Sequence, residues 1–390
     1  MSEPLIEVKD LSVAFRGESD TTLAVDHISF NIMPGETLAL VGESGSGKSV
    51  SALSVLQLLP YPQASHPSGE IWMEGQNLIG ASNKVLQRVR GNRISMVFQE
   101  PMTSLNPLHT IEQQVGEMLV LHKGLRGAAI KSRVVELLSK VGIPDPETRL
   151  DAYPHQLSGG QRQRVMIAMA LANEPDVLIA DEPTTALDVT VQAQILDLLI
   201  TLKREMGMAL LLITHDLGVV RKMADHVCVM TGGKIVETGP TEEIFTSPKH
   251  PYTRHLIASE PKGRALAGPL NAPVIMETRD LKVWFPIKRG FLRKTVDHVK
   301  AVDGISFKLR QGRTLGIVGE SGSGKTTLGL AALRLISSEG GIEFQGENIQ
   351  GLKSKELRPL RQYMQIVFQD PYGSLSPRMS IGQIVEEGLI

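Results

Sequence analysis

Two segments of the chain combine closely spaced glycines with a lysine and a hydroxyl residue, a combination suited to binding phosphate groups. They are VGESGSGKS at Val41–Ser49 and VGESGSGKT at Val318–Thr326. Glycines let backbone N–H groups turn inward around phosphate oxygens, and the start of a following helix adds partial positive charge. The lysine then reaches the β- and γ-phosphates of a nucleoside triphosphate, and the hydroxyl binds Mg²⁺. A chance glycine-rich turn is the alternative, and the repetition makes it weak.

We therefore predict two phosphate loops that bind ATP. Lys48 and Lys325 are their phosphate-binding cations, and Ser49 and Thr326 are their Mg²⁺ ligands. The residues assigned to the loops are, in chain order, Gly42, Glu43, Ser44, Gly45, Ser46, Gly47, Lys48 and Ser49, then Gly319, Glu320, Ser321, Gly322, Ser323, Gly324, Lys325 and Thr326.

Two adjacent carboxylates, Asp181 and Glu182, lie at the end of the apolar run VLIAD. We expect Asp181 to hold Mg²⁺, directly or through water. Glu182 would orient and polarise the water that attacks the γ-phosphate, acting as a general base. A helix-capping acidic pair is the other interpretation, and it is the weaker one after a buried strand in a phosphate-loop protein.

Strand-length apolar runs alternate with helix-length segments in each copy, the pattern of an α/β fold with a largely parallel sheet. Val177–Asp181 and Ala209–Thr214 are continuous apolar runs, as strands buried on both faces should be. Both end in polar residues, at the edge of the sheet where ligands bind in such folds. The short runs before the two phosphate loops, Leu38–Leu40 and Leu315–Ile317, predict further strands.

The overall composition is that of ordinary globular domains. The chain has 390 residues and a net charge of −1, so no global field draws it to nucleic acid. The single cysteine, Cys228, supports neither a disulfide framework nor a metal cluster, and we interpret it as a reduced core residue. No stretch approaches the roughly 18 apolar residues of a membrane span. If the chain serves a membrane, we expect another chain to supply the pore.

The chain repeats itself at an offset of about 270 residues, far longer than the period of solenoid proteins. Leu11–Phe15 matches Leu281–Phe285, and Val97–Pro107 (VFQEPMTSLNP) matches Val367–Pro377 (VFQDPYGSLSP). A basic insertion around Lys288–Lys300 shifts the register before the second phosphate loop. Such a period indicates tandem whole domains. We predict a first domain at 1–259, a linker rich in proline, glycine and alanine at 260–274, and a second domain at 275–390.

The repeat register also predicts that the second copy is incomplete. The first copy continues for about 138 residues past the point that corresponds to Ile390. The second copy therefore carries a phosphate loop and a glutamine but no counterpart of LSGGQ, Asp181, Glu182 or the ITHD segment. We expect such a chain to bind Mg-ATP, hydrolyse it poorly and tend to associate. A head-to-tail homodimer of first domains is the rival outcome.

The motifs of the first copy occur in an order that resembles one family. The phosphate loop, Gln99, LSGGQ at Leu157–Gln161, VLIADEPTTALD and ITHD follow one another as in ABC-type nucleotide-binding domains. The resemblance covers essentially all of residues 5–258 and about half of a second domain. It implies a P-loop NTPase fold with a RecA-like core, an antiparallel β subdomain and a helical subdomain, in tandem, with the second copy incomplete. In that family two domains close head to tail over two ATP molecules.

The resemblance also implies roles for further residues, several of which have a structural alternative. A histidine after a strand is more often structural. Ser158, Gly159 and Gly160 precede the predicted helix QRQRVMIAMALA, although SGGQ could be merely a helix-start turn. Either phenylalanine could be core, and Trp284 lies beside one of them. By this resemblance, Gln99 and Gln369 contact Mg²⁺ and water, and His215 contacts the γ-phosphate. The γ-phosphate held by the other domain is contacted by Ser158, Gly159, Gly160 and Gln161. Asp188 reaches across the domain interface, and Phe15 and Phe285 stack on adenine.

The segment Ser247–Pro261, with HPYT at His250–Thr253, is similar to the tails of oligopeptide, dipeptide and nickel importer ATPases. Two ATPases on one chain narrow the likeness to the fused subunits of peptide or glutathione importers. This implies an ATPase that energises peptide import at the cytoplasmic face of the bacterial inner membrane. Its implied partners are two transmembrane permease subunits and, indirectly, a substrate-binding protein. Several relatives carry an iron–sulfur cysteine cluster after HPYT, and since no cysteine follows Cys228 we predict no such cluster.

Two other classes stay open. Soluble twin-ABC translation factors also place two such domains on one chain, but a long, charged, helical linker joins those domains, unlike the nearly neutral segment at 260–274. A catalytically deficient remnant is the third class, indicated only by the incomplete second copy.

Overall fold

The computed structural model describes residues 3–17, 20–99, 104–185, 187–259, 263, 268–269, 271–290, 294–369 and 371–389. They form two compact units, Met1–Gly263 and Arg264–Ile390. The predicted linker at 260–274 lies mostly outside the described residues. The predicted domain limits, 1–259 and 275–390, stay predictions.

The first unit contains an antiparallel sheet in the order β2–β1–β4–β5 and a second sheet in the order β10–β9–β3–β8–β7–β6. In the second sheet all neighbours pair in parallel except β10, which is antiparallel to β9. The strands are β1 (Ile6–Arg16), β2 (Thr21–Ile32), β3 (Thr37–Val41), β4 (Ala64–Met73), β5 (Gln76–Asn77), β6 (Ile94–Val97), β7 (Val177–Asp181), β8 (Ala209–Thr214), β9 (His226–Thr231) and β10 (Lys234–Pro240).

The predicted apolar runs of the first unit are its central strands. Every residue of β3, β7 and β8 is buried, which explains why these strands are continuously apolar rather than alternating. One hydrophobic cluster fills the space between the two sheets, and a second one joins the parallel sheet to the helices.

The helices of the first unit lie around the parallel sheet. Thr110 and Gln113 form a capping box that starts the third of them, and Gly124 ends that helix in the left-handed conformation. The helices are α1 (Lys48–Val55), α2 (Asn83–Val89), α3 (Ile111–Lys123), α4 (Ala128–Lys140), α5 (Pro146–Arg149), α6 (Gly159–Leu171), α7 (Val189–Met206), α8 (Leu217–Met223), α9 (Thr241–Thr246) and α10 (Pro251–Ala258), with a short 3-10 helix at Pro154–Gln156.

Cys228 lies in the middle of β9, where its side chain is 2% exposed. Burial raises the pKa of its thiol to about 11, and a hydrogen-bonding contact with Thr238 opposes this only in part. The thiol is therefore a buried, protonated core group, as the apolar run around it predicts.

The second unit contains an antiparallel sheet in the order β12–β11–β13–β14. Its helices cover a smaller cluster of buried residues. Its elements are β11 (Val274–Arg289), β12 (Lys294–Arg310), α11 (Lys325–Ala332), β13 (Glu339–Phe344), β14 (Glu347–Asn348), α12 (Ser354–Leu357), α13 (Pro371–Ser374) and α14 (Ile381–Glu386), with 3-10 helices at Arg361–Tyr363 and Glu387–Leu389.

The strand predicted at Leu315–Ile317 is not formed, so this prediction is wrong. Leu315 and Ile317 are each 43% exposed, and the following Val318 is 92% exposed. In the first unit the equivalent strand, β3, is flanked on both sides by β8 and β9. The described part of the second unit supplies no strand that could pair with 315–317, so the backbone there has nothing to complete a sheet with.

Candidate functional site

The first phosphate loop lies between the end of β3 and the start of α1. Its first and last glycines are required by close backbone neighbours. A Cβ on Gly42 (φ 153°) would lie 2.1 Å from the Met230 carbonyl oxygen, and one on Gly47 (φ 99°) would lie 2.7 Å from that of Ala24. The loop is thus pressed against two neighbouring strands, and no side chain fits at either position.

Lys48, the first residue of α1, is buried beneath this loop with 5% of its surface exposed. Its Nζ donates hydrogen bonds to the carbonyls of Gly42 (2.9 Å) and Glu43 (2.7 Å) and to Ser46 Oγ (3.2 Å). Burial lowers the pKa of Lys48, and the nearby carboxylates, Glu182 foremost, act in the opposite direction. The loop therefore holds a desolvated cation at the place where phosphate charge is expected.

Ser49 and Asp181 meet at the floor of the same site. The Ser49 hydroxyl donates to Asp181 Oδ1 over 3.0 Å, and Asp181 is 6% exposed. Burial raises the pKa of Asp181, Glu182 adds to this, and the Ser49 hydrogen bond and Lys48 oppose it. The hydrogen bond and the nearby ammonium only partly offset the cost of burying this carboxylate. Together with the hydroxyl it forms a pair of hard oxygen donors.

Glu182 is the centre of a hydrogen-bonded cluster. Its Oε2 accepts from Gln99 Nε2 (3.0 Å) and from the Thr185 hydroxyl (2.8 Å), and its Oε1 lies 3.1 Å from His215 Nδ1. The structure thus brings Gln99, Glu182 and His215 together, and their predicted catalytic roles stay predictions. Thr185 was missed, and its only signal is its position three residues after Glu182.

Some of these groups line one polar cleft of about 180 Å³. Gln99 and Glu182 line it from one side, and Ser44, Gly45, Gly47, Lys48 and Ser49 of the phosphate loop are among its other walls. The same small volume is therefore lined by backbone donors, a buried ammonium, a carboxylate and an amide.

The signature segment lies apart from this cleft within the first unit. Ser158 is the N-cap of α6, and it forms a reciprocal capping box with Gln161 (3.3 and 3.1 Å). We expected Gly159 and Gly160 to precede the helix, which is wrong: they form its first turn, because Ser158 already caps it. Among the described residues, no hydrogen bond joins Ser158 or Gln161 to the phosphate loop. Their predicted role toward a second domain stays a prediction.

Asp188 caps the neighbouring helix. Its side chain accepts from the Val191 N–H (3.0 Å) at the start of α7. A Cβ on Gly160 would come within 2.8 Å of a Val191 methyl group, so the starts of α6 and α7 are packed closely together. The placement of Asp188 across a domain interface stays a prediction.

The two phenylalanines assigned to adenine differ in their surroundings. Phe15 on β1 is partly buried and packs against the cluster between the sheets of the first unit. Phe285 on β11 is 46% exposed. Its neighbour Trp284 donates from Nε1 to Asp303 (3.0 Å) and lies 4.3 Å from Lys300 Nζ. The stacking role of either phenylalanine stays a prediction.

The second phosphate loop repeats the local geometry of the first. Lys325 begins α11 and its Nζ donates to the carbonyls of Gly319 (2.7 Å) and Glu320 (2.6 Å). Thr326 and Gln369 are exposed. The loop conformation is therefore encoded locally, since it forms here beside a much smaller core.

One contact to the phosphate loop was not anticipated from the sequence. The Tyr252 hydroxyl oxygen accepts a hydrogen bond from the Glu43 N–H over 3.1 Å. We had interpreted HPYT only as an indication of the substrate class.

Two models of known protein families match parts of this chain. The model of the family described as "ABC transporter" matches residues 25–185 and 302–387, which contain both phosphate loops. The chain belongs to the ABC transporter family. The predicted P-loop NTPase fold and the predicted class of activity, ATP binding and hydrolysis, are thereby confirmed. A second model, "Oligopeptide/dipeptide transporter, C-terminal region", matches residues 236–277, which include α9 and α10.

Among curated proteins, the chain is 64% identical over 388 residues to the Agrobacterium fabrum "Peptidoglycan transport ATP-binding protein YejF", spanning 100% of this chain and 71% of that one. It is 54% identical to the Escherichia coli "Uncharacterized ABC transporter ATP-binding protein YejF", spanning 100% of this chain and 74% of that one. It is 45% identical to the Salmonella paratyphi A "Glutathione import ATP-binding protein GsiA", spanning 100% and 67%.

The similar solved structures are ATP-binding cassettes. One is the dimeric post-hydrolysis state of the cassette MJ0796 bound to ADP and Pi, with a TM-score of 0.55, 28% identity, and coverage of 60% of this chain and 98% of that one. Another is cbiO1 from Clostridium perfringens, part of the complex cbiONQ, with a TM-score of 0.54, 33% identity, and coverage of 63% and 92%. None of the described helices is long and apolar enough to cross a membrane.

Proposed function

We propose that the chain is the ATPase subunit of an importer for peptide-containing substrates, acting at the cytoplasmic face of a bacterial inner membrane. The observation that carries this is the match of residues 236–277 to the C-terminal region of oligopeptide and dipeptide transporters. The names of the similar proteins specify peptidoglycan in one case and glutathione in another. Peptide linkages are the chemistry that these substrates share.

Mg²⁺ fits the oxygen donors of Ser49, which lines the cleft, and of Asp181, which is hydrogen-bonded to Ser49. Ser49 and Asp181 offer two oxygens 3.0 Å apart, and burial raises the pKa of Asp181, so a cation beside this carboxylate would stabilise its ionised form. A bound Mg²⁺ would supply charge neutralisation on the phosphates. Gln99 lies beside Glu182, from where its amide can contact the same region.

The remaining groups have separable tasks in hydrolysis. Lys48 supplies positive charge to the β- and γ-phosphates from its buried position. Glu182 accepts the proton of the attacking water, and the hydrogen bonds from Gln99 and Thr185 hold its carboxylate in one rotamer. His215, 61% exposed in its side chain and in contact with Glu182, is placed to contact the γ-phosphate. Such catalysis relies on positioning and electrostatics rather than on covalent chemistry.

The proposed permease partner has a suitable contact surface in the first unit. An apolar groove of about 210 Å³ lies beside the segment that carries Gln99, and Leu58 (40% exposed) and Phe98 (38% exposed) form its accessible walls. Four methionines line it, at positions 96, 118, 166 and 169. Flexible methionines adapt well to an inserted helix. We propose that a cytoplasmic helix of a permease subunit binds here, with a substrate-binding protein acting from the other side of the membrane.

We further propose that residues 1–259 and 275–390 belong to two ABC domains joined by 260–274, the second carrying Lys325, Thr326 and Gln369.

Co-expression with the neighbouring permease genes tests the proposal. The chain should co-purify with two multi-span subunits, and Leu58→Cys should cross-link to a cysteine placed in a permease cytoplasmic loop. In proteoliposomes, an oligopeptide with its binding protein should stimulate ATP hydrolysis, and a Lys48→Ala, Lys325→Ala double variant should abolish it. A chain that never associates with the permeases contradicts the importer proposal.

A further inference from the structure

The phosphate loop of the first unit is held at a single peptide group from two sides. The N–H of Glu43 donates to the Tyr252 hydroxyl oxygen (3.1 Å), and the Gly42 carbonyl, part of the same peptide group, accepts from Lys48 Nζ (2.9 Å). Gly42 has little room to shift, because its backbone lies against the Met230 carbonyl. Tyr252 therefore helps to fix the plane of the peptide with which Lys48 is hydrogen-bonded.

Tyr252 is itself held in place, although it lies 209 residues after Glu43. It is in the first turn of α10, and the N-cap residue His250 accepts from the Tyr252 N–H at Nδ1 (3.2 Å). Glu237 on β10 accepts from the N–H groups of Lys249 (2.7 Å) and His250 (3.0 Å). β10 pairs with β9, and β9 pairs with β3, the strand that leads into the phosphate loop. Tyr252 is therefore connected to the loop through the sheet as well as through its hydroxyl.

The ring of Tyr252 is anchored independently of its hydroxyl. Together with Leu256 it packs against a cluster of buried residues that includes Val41 and Val229. Removing the hydroxyl alone therefore leaves the packing of α10 in place and frees only the Glu43 N–H.

We propose that Tyr252 is a positioning residue of the nucleotide site, whose hydroxyl orients the Gly42–Glu43 peptide and thereby sets the place from which Lys48 engages the phosphates. The inference rests on ATP binding at the first phosphate loop. Without the hydroxyl the Glu43 N–H loses its fixed partner, and the Gly42 carbonyl that Lys48 contacts is held less firmly. Nucleotide must then bind the smaller fraction of molecules in which the loop is correctly oriented, which weakens the apparent affinity. The region at 236–258 thus takes part in ATP binding.

Tyr252→Phe in a Lys325→Ala background tests this, because only the first loop then keeps its lysine. The Kd for Mg-ATP should rise about fivefold, the effect of one hydrogen bond of net worth roughly 1 kcal/mol. The KM for ATP should rise with a smaller change in kcat. Tyr61→Phe is the matched control, since it removes a hydroxyl that donates to Gln57 (3.2 Å) at the surface, and it should leave Kd unchanged.

A second background separates positioning from general destabilisation. If Tyr252 acts through Lys48, Tyr252→Phe should have no further effect on the nucleotide affinity of the Lys48→Ala, Lys325→Ala double variant. An unchanged Kd in the first background overturns the proposal, and so does a lower melting temperature without any change in Kd. A parent chain that binds no ATP would instead contradict the proposed function, so the two failures are distinguishable.

Discussion

Replacing Glu182 with glutamine should separate nucleotide binding from hydrolysis. Glu182 Oε2 accepts hydrogen bonds from Gln99 and Thr185, and Oε1 contacts His215 Nδ1. A glutamine can place its amide oxygen at Oε2 and direct its NH₂ group toward His215, whose Nδ1 accepts in one tautomer. Because these contacts survive, we expect the free energies of unfolding and of ATP binding to change by less than about 1 kcal/mol.

Hydrolysis should respond far more strongly, since a neutral amide cannot take a proton from the attacking water. A general base contributes about 10² to 10⁴ in rate. At 1.36 kcal/mol for each factor of ten, the barrier rises by about 2.7 to 5.4 kcal/mol. This rise in the barrier is several times the expected change in the free energy of ATP binding, so one experiment can separate the effect on hydrolysis from the effect on binding.

The assay is single-turnover hydrolysis of labelled ATP by the chain with its permease subunits, in a Lys325→Ala background. Titration with a fluorescent ATP analogue gives the Kd for the same preparation. Glu205→Gln is the matched control, because this half-exposed glutamate pairs with Lys140 over 3.7 Å and, among the described residues, with no group of the nucleotide site. A Glu182→Gln rate within tenfold of the parent would remove Glu182 from the role of general base.

Three further predictions concern stability and association. Burial raises the pKa of Asp181, so its ionised form weakens the fold as pH rises through the folded-state pKa. Asp181→Asn should therefore raise the melting temperature of the nucleotide-free protein at pH 7, and this gain should vanish near the unfolded-state pKa of about 4. Gly42→Ala should cost at least about 2 kcal/mol more in denaturant unfolding than Gly45→Ala, because both have positive φ but only at Gly42 would the new Cβ meet a backbone carbonyl. Equal losses would show that this clash is relieved. Val367 is 98% exposed, and Val367→Ser should weaken self-association measured by light scattering. The expected factor is about ten, since burying a valine contributes roughly 1.5 kcal/mol, and an unchanged oligomer would exclude this surface as its cause.

Most of the first nucleotide site was predictable because its residues lie at the ends of strands with strong local patterns. Asp181 and Glu182 follow a run that is buried along its whole length, as is β8 before His215. Parallel neighbouring strands bring their carboxyl ends to one edge of the sheet, so these side chains had to meet. The predicted start of α6 was wrong by two residues. Glycines usually indicate a turn, but Gly159 and Gly160 form the first turn of a helix that Ser158 caps.

The contacts that escaped prediction depend on tertiary packing. Tyr252 reaches Glu43 only because β9 lies beside β3 and β10 lies beside β9, and no local pattern records a hydrogen bond over 209 residues. The run at 315–317 has the composition of a buried strand, yet a buried strand also needs neighbours on both sides. Among the described residues these neighbours are absent, so the same local pattern that forms β3 in the first unit leaves an exposed, irregular segment in the second.

The state of Cys228 has a practical consequence for measuring motions in this protein. It is the one cysteine among 390 residues, it is 2% exposed, and its thiol has a pKa of about 11. Maleimide and methanethiosulfonate reagents attack the thiolate, which Cys228 hardly forms at neutral pH. A cysteine introduced at an exposed site such as Val189, 84% exposed, would then react selectively in the native background. Pairs of such labels can report nucleotide-driven distance changes by fluorescence transfer or electron spin resonance without first replacing the native cysteine.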